Sequence, residues 1–508
     1  MYYNVLGMCH TSCYESRMER KAGTWASTFK AFDGALRALE DAVWATRDLV
    51  EAINDESTHA VRATVALSKD ARLRTRRLGR AAVSLGAIFG TYRLQRTREA
   101  FMPRAVGKRT RDRLHERNAT RFLRTCEELG GAFLKVGQLL SARPDLLPPI
   151  WIETLASLRD AAPPVDVRSI REVIEDELGP IDELFEAFDD EPIAAASIGQ
   201  VHHAVTREGI EVAVKVQRPG IGELVEADLD LMEAFIHAVS ESFPKTDWSA
   251  ITRELRGAVL EELDYQLERI RMQRTHDFFV QRGGPTRAPR PIDALCTARV
   301  LTATFEPGVT ITERLEVLAE ARRAGDDDAA GELDGLMDTL LEAWIAMVLE
   351  AGLFQADPHP GNLLVDDDGG LIIVDYGCAR DVDEATRKLY RDILMGFLGN
   401  DLERVVAALG ELGFETQSGE PATLLAFAEM MVGRIRDALE GRVEWPSTEQ
   451  LLAEVTELAS IVDDDPVVRI PDTFVLLARV FGTLGGLFMA YQPSKLGTRS
   501  LTALQRAL

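Results

Sequence analysis

From Ile193 onward the apolar residues of this chain stop recurring at helical spacing and begin to alternate. Val201, His203 and Val205 are followed, after a turn at Gly209, by Val212, Val214 and Val216. Residues two apart share one face of a strand, so the pattern predicts a β-hairpin with Ala213 and Lys215 on the face opposite the valines. Helical periodicity stands on both sides of it. A stretch from about Thr120 carries Phe133 to Leu140 and ends near Pro144, and Pro148, Pro149, Pro163 and Pro164 then punctuate a linker. Beyond the hairpin, Leu255, Val259, Leu263, Leu267 and Ile270 predict one long amphipathic helix. A strand is expected near Arg299 to Phe305, then a Glu306-Pro307-Gly308 turn and mainly helical sequence to Leu508. With 508 residues, 46% of them hydrophobic, the chain can fill at least two cores. The expectation is an α+β protein of two lobes.

The net charge of −24 excludes a general nucleic-acid binder, which needs basic surface to meet phosphates. Charge is unevenly spread, however. From Lys69 to Arg113 there are fourteen basic residues against three acidic ones, a local balance of 14 − 3 = +11. Two basic clusters there flank the apolar run Ala81 to Tyr92, too short to span a bilayer. One reading lays Val83, Ile88, Phe89 and Tyr92 on an anionic membrane surface, with Arg74, Arg76, Arg77 and Arg80 at the headgroups. The other packs the same run against the protein. Five scattered cysteines suit a reducing cytoplasm, and Cys9, His10 and Cys13 lack a second pair of metal ligands. Phe32, Leu36, Leu39, Val43, Val50 and Ile53 form a stripe that predicts a docking helix. The apolar stretch Phe474 to Tyr491 is interrupted by Arg479 and reads as a buried helix.

Phosphoryl transfer requires a cation on the nucleotide phosphates, oxygen donors for magnesium and a positioned base. Asp357 and Asn362 stand five residues apart in Ala356-Asp-Pro-His-Pro-Gly-Asn362, the spacing of a kinase catalytic loop. Asp375-Tyr-Gly377 then stands where a kinase carries Asp-Phe-Gly, after the turn-forming run at 366 to 370. Val212-Ala-Val-Lys215 has the form of the strand whose lysine grips the phosphates. Any one element is weak evidence, but the ordered set is strong.

Four segments together resemble the UbiB family of atypical kinases linked to quinone biosynthesis. They are Ala194-Ala-Ala-Ser197-Ile198-Gly199-Gln200-Val201-His202, Lys135-x-Gly137-Gln138, Glu262-Leu-Asp264-Tyr-Gln-Leu-Glu268, and the Asp357 to Asn362 loop. The likeness covers about residues 100 to 400, and is weaker through the C-terminal helices. It implies a kinase-like ATPase that binds ATP and Mg2+, with Lys215 paired to Glu268, Asp357 as the catalytic-loop aspartate, and Asn362 and Asp375 on the metal. It implies that Ala194, Ala195, Ala196, Ser197, Ile198, Gly199 and Gln200 replace the glycine-rich phosphate loop. It also implies a lid in which Lys135 and Gln138 meet Glu262 and Asp264. Cβ atoms at Ala195 and Ala196 restrict positive φ and close approach to phosphates, so the loop should cradle nucleotide differently. His359 is expected to position its loop by hydrogen bonding. Gln355 stands where family members often carry histidine, a departure that bears on local hydrogen bonding.

The expected organisation is a helical region over 1–100, a helical extension with the lysine, glycine and glutamine motif over 101–165, a kinase-like N-lobe over 166–308 and a helical C-lobe over 309–508. The leading function is an ATPase supporting isoprenoid-quinone or related lipid metabolism. A small-molecule or lipid phosphotransferase and a silent nucleotide-binding scaffold are the alternatives. Expected partners are nucleotide, lipid or quinone intermediates and an anionic membrane surface, with a cytoplasmic location peripheral to the membrane.

Overall fold

A computed structural model describes residues 69–99, 104–141, 143, 146–158, 164–243, 247–399, 401–419, 422–426, 465, 467–469, 471–495 and 498–507. The stripe from Phe32 to Ile53 and the Cys9, His10 and Cys13 group lie outside them, as do the side chains of Arg74 and Arg76. The chain falls into two compact units that interleave along the sequence. One takes the described residues up to Val173 with Glu191–Val201 and Val216–Leu263, and the other takes Ile174–Asp190, His202–Lys215 and Asp264–Leu508.

The first unit is helical. Its long helices are α1 (Lys69–Glu99) and α2 (Arg104–Leu129), followed by α3 (Gly131–Ser141) and α4 (Pro149–Leu155). The helix expected from Thr120 through Leu140 is therefore two. Gly130 and Gly131 take φ of +58° and +54°, a left-handed pair that turns the chain at a cost only glycine escapes. After α5 (Val167–Leu178), the short α6 (Ile181–Leu184) and a hairpin, the unit adds α7 (Ile221–Val239) and α8 (Trp248–Glu262). Its core includes Leu85, Ile88, Phe89, Tyr92, Phe122, Phe133, Trp151 and Phe235.

This core corrects the membrane-surface reading of the apolar run. Ile88 is fully enclosed, Phe89 and Tyr92 are 5% and 4% exposed, and only Val83 faces outward at 72%. The Tyr92 hydroxyl lies 2.9 Å from Nδ1 of His115. Arg77, assigned to headgroups, instead donates to the buried Asp228 at 2.6 Å and to the carbonyls of Leu129 and Gly130 at the end of α2. The physical reason is that one apolar face of a helix can be covered once, and here α2 and α7 cover it.

The sheet has the order β1-β2-β3-β5, built from β1 (Phe185–Ala195), β2 (Gly199–Thr206), β3 (Glu211–Gln217) and β5 (Val300–Thr304). The expected hairpin is β2 and β3, turning at Gly209 with φ +78°. Val212, Val214 and Val216 are fully buried while Ala213 and Lys215 sit on the other, partly open face, as the alternation predicts. In β2 the buried phase is Gln200, His202, Ala204 and Thr206, one residue out of step with the valines.

The second unit centres on α11 (Asp327–Ala346), packed by α10 (Ile311–Arg323), α12 (Glu384–Leu398), α13 (Leu402–Leu412), α14 (Asp472–Tyr491) and α15 (Thr498–Ala507). The α9 helix (Tyr265–Arg282) belongs here, so the single helix expected over Leu255 to Ile270 is two helices in two units. Asp264 breaks it. Its carboxylate accepts from the backbone N–H groups of Gln266 and Leu267, starting a new helix where the periodicity alone continues the old one. Ile270, expected on the apolar face, is 45% exposed.

A small sheet orders β4 (Thr286–Arg287), β9 (Leu371–Ile373), β8 (Leu363–Val365) and β6 (Val309–Thr310). At the end of α11 the chain winds one π turn, Met347–Ala351, and Gly352 stops it with φ +67°. Next, β7 (Leu353–Gln355) pairs antiparallel with β10 (Ala379–Asp381), Gln355 opposite Ala379. Phe474 to Tyr491 is the buried helix expected, and among the described residues no helix is long and apolar enough to cross a membrane.

Candidate functional site

The second unit holds five of the predicted residues, Lys215, Glu268, Asp357, Asn362 and Asp375. Lys215, on the open face of β3, places its ammonium 2.7 and 2.9 Å from the two carboxylate oxygens of Glu268, one turn into α9. The same ammonium lies 3.7 Å from Asp375 and 5.2 Å from the centre of the Tyr265 ring. The Glu268 side chain is 2% exposed and that of Asp375 37%. Burial alone lowers the lysine, but Asp375 and Glu268 outweigh it and hold the ammonium well above the usual lysine range. Burial pushes the Glu268 carboxyl up, opposed by Lys215 and reinforced by Asp375. Two carboxylates thus share one ammonium, leaving a formal balance of +1 − 2 = −1 that a cation would neutralise.

The loop after β7 is clamped by its own amides. Oε1 of Gln355 accepts from the Asp357 N–H at 2.9 Å, and its Nε2 donates to the Asp357 carbonyl at 2.6 Å. Asn362 Nδ2 donates to that same carbonyl at 3.3 Å, and the His359 N–H at 2.7 Å. Nδ1 of His359 accepts from the Gly361 N–H at 3.1 Å, so the histidine positions its loop as expected. Ala356 N–H donates to the Cys378 carbonyl at 3.3 Å, which joins this loop to the turn carrying Asp375. In the β8 and β9 hairpin Leu363 faces Ile373, and the Val374 N–H reaches the Asn362 carbonyl at 3.1 Å. Asn362 and Asp375 therefore stand at the same end of that hairpin.

These donors are hard oxygens, which fit magnesium. Mg2+ is commonly held through one or two carboxylates together with substrate phosphates. Among the described residues no group of three or more His, Cys, Asp or Glu side chains is poised for a metal.

The first unit carries the remaining motifs. Ala194 and Ala195 end β1, the Ala196 N–H closes the turn on the Gly199 carbonyl at 2.9 Å, and Arg218 donates to the carbonyls of Ile198 and Ala196, both at 2.9 Å. None of residues 194–199 takes a positive φ, so the turn needs no glycine where its alanines stand. Gln200, predicted with this loop, directs its amide to Val165, accepting from its N–H at 2.9 Å.

In α3, Lys135 pairs with Glu262 at 2.5 Å, as the resemblance implies. Gly137 has a packing reason, since a Cβ there would stand 2.6 Å from Leu158 Cδ1 and 3.1 Å from Cys126 Sγ. Gln138 makes no side-chain hydrogen bond among the described residues, and the Asp264 carboxylate is engaged in capping α9. Of the first-unit residues implied for the lid, Lys135 and Glu262 are in direct contact.

Sequence reasoning passed over two residues. Gln355 was noted only as a departure, and Arg479 only as an interruption. Arg479, from α14, donates through Nη2 to Oδ1 of Asp357 at 2.9 Å. A lone arginine inside an apolar helix was the available signal.

A strand lysine bound to a helix glutamate, beside an aspartate and asparagine loop and an Asp-Tyr-Gly turn, defines a protein-kinase-like fold. The chain belongs to the ABC1 atypical kinase-like, UbiB-type family, whose model matches residues 157–409. It is 33% identical over 369 residues to the Arabidopsis thaliana protein named Activity of BC1 complex kinase 7, chloroplastic, covering 72% of this chain and 51% of that one. It is also 33% identical over 298 residues to the uncharacterized protein slr0889 of Synechocystis, covering 56% of this chain and 71% of the relative. The chain thus spans about half the length of the plant relative. Among solved structures, Mycobacterium tuberculosis Rv3197 in complex with erythromycin matches with a TM-score of 0.50 at 22% identity, over 77% of this chain and 99% of that one, a likeness of fold.

Proposed function

We propose that this chain binds Mg-ATP and cleaves its terminal phosphoryl bond, in support of isoprenoid-quinone or related lipid metabolism. The observation that carries the chemistry is Lys215 held between Glu268 and Asp375, an ammonium in the position needed for phosphates and a carboxylate left for metal. Lys215 would grip the nucleotide phosphates, and Asn362 and Asp375 would hold magnesium, which supplies charge neutralisation during transfer. Asp357 would orient the attacking hydroxyl or water and take its proton. The pathway is suggested by the family rather than by the residues. Incubating the protein with labelled ATP, magnesium and liposomes containing quinone intermediates tests both readings of the acceptor. Free phosphate marks an ATPase, a labelled lipid marks a phosphotransferase, and nucleotide binding with neither product marks a scaffold.

A second reading concerns an anionic membrane surface, and of the four arginines the sequence suggested for it only Arg80 is retained. Arg80, Arg113, Arg117, Arg121 and Arg124 line a cavity of about 540 Å3 beside α1 and α2, with Glu116 and Glu128. None of the five is ion-paired among the described residues, and Nη1 of Arg121 is enclosed without a hydrogen-bond partner. Phosphate headgroups would supply the missing acceptors at about 1 kcal/mol per arginine. Sedimentation with anionic liposomes should fall as salt rises, and fall further when Arg113, Arg117 and Arg124 become glutamine. Equal binding to neutral liposomes would reject it.

A further inference from the structure

The α14 helix is apolar where it packs, and Phe474, Leu477, Val480, Leu484, Leu487 and Phe488 all join the core of their unit. Arg479 lies among them with its side chain 26% exposed, and the side chain of Asp357 is 27% exposed. Their contact at 2.9 Å is the one hydrogen bond made by the Arg479 guanidinium among the described residues. A guanidinium has five N–H donors, and among the described residues the other four have no partner. Seen from the other side, Gln355, His359 and Asn362 all hold the backbone of Asp357. Among the described residues Arg479 alone holds its carboxylate, across 122 residues of sequence.

We propose that Arg479 is the cation of the catalytic loop, a positioning residue that fixes the Asp357 carboxylate and turns its free donors toward the negative charge moved in phosphoryl transfer. The role rests on the phosphoryl-transfer reading above and adds to it a residue from outside the matched family segment, 157–409. In the transfer, an acceptor oxygen bonds to the γ-phosphorus, and the bond from that phosphorus to the bridging oxygen breaks with its electron pair leaving on ADP. The acceptor's proton passes to Asp357. An unanchored carboxylate could rotate away from that proton. Glutamine at 479 would keep much of the stem's packing while removing the charge.

The test compares wild type with Arg479→Gln and Arg479→Lys. Turnover is measured against Mg-ATP concentration, and thermal stability without ligand, with Mg-ADP, and with Mg-ADP plus aluminium fluoride, which mimics the phosphoryl group in flight. Arg479→Gln should lower kcat on the order of 100-fold, the usual loss for one preorganised donor, with little change in KM for Mg-ATP. It should melt near wild type without ligand and lose the extra stabilisation that aluminium fluoride adds to Mg-ADP. Arg479→Lys should recover part of both. Unchanged kcat with unchanged aluminium fluoride stabilisation overturns the role, as does a loss confined to KM. A rise in kcat overturns it too, making the contact a brake. If wild type itself gains no stability from Mg-ADP or Mg-ATP, the phosphoryl-transfer reading fails and the role of Arg479 falls with it. A stabilised wild type beside an unaffected Arg479→Gln rejects Arg479 alone.

Discussion

Among the described residues two lysines are enclosed against a glutamate, one in each compact unit, and they are built differently. Lys135 and Glu262 form a closed pair, their side chains 10% and 15% exposed, with one charge of each sign. Lys215 and Glu268 have a third party, Asp375, close enough to leave the group one negative charge in excess. A closed pair has no electrostatic need of a ligand. An acidic surplus around a buried ammonium does, because like charges at short range raise each other's cost until a cation arrives. The difference in charge balance marks the Lys215 group, rather than the Lys135 pair, as the one that would respond to a bound cation.

The widest separation between the two pairs should appear in nucleotide binding and turnover. Asp375→Asn or Lys215→Ala should cut ATP turnover by on the order of 100-fold or more and shrink the thermal shift produced by Mg-ATP. Undiminished shifts in both variants would break the comparison at its root.

The closed pair should show itself in stability. Lys135→Ala leaves Glu262 enclosed without its partner and should cost about 3 kcal/mol, read by urea denaturation. Replacing both residues by leucine should restore most of that loss, since an apolar pair of similar volume needs no charge balance. A double variant no more stable than the single one would mean that the pair does more than fasten.

Somewhat smaller is the effect expected at Gly137. Alanine there must displace Leu158 or Cys126, and should destabilise the first unit by about 1 to 3 kcal/mol. A neutral Gly137→Ala would show that Leu158 turns aside freely.

The effect confined to the narrowest conditions concerns another enclosed carboxylate of the first unit. Burial raises Asp228 to about 6 against the pull of Arg77. A folded value above the unfolded one means that the native state holds the proton longer. The contribution is therefore fully present below the unfolded value of 3.8 and is lost as pH rises through about 6. Stability should fall between those limits by more in wild type than in Asp228→Asn, and equal slopes would show that Asp228 ionises as freely as in the unfolded chain.

What the sequence reveals depends on how far apart the cooperating groups lie. Lys215 was legible because alternation over a few residues fixes its face, and the Asp357 and Asn362 spacing because one short loop contains both. The helix break at Asp264 was hidden, since an acidic residue on a helix surface and a capping aspartate look alike until the backbone turns. The apolar run at Ile88, Phe89 and Tyr92 had two candidate partners, and composition cannot choose between lipid and a neighbouring helix. Gln355 could not be placed from a substitution alone. Arg479 was furthest from view, because nothing local to α14 tells that its one basic residue meets an aspartate 122 residues earlier.

The π turn at Met347–Ala351 sets the aim of everything after it. An α-helix turns about 100° per residue, so one residue added to or taken from its last turn rotates the departing chain by that amount. Removing a single residue between Met347 and Gly352 would let α11 and β7 both persist as helix and strand. Yet the loop beyond would be indexed to a different compass bearing, with the Asp357 carboxylate directed away from Arg479. Length in this stretch works like the thread of a screw: a change too small to alter any element's shape is large enough to misalign the site.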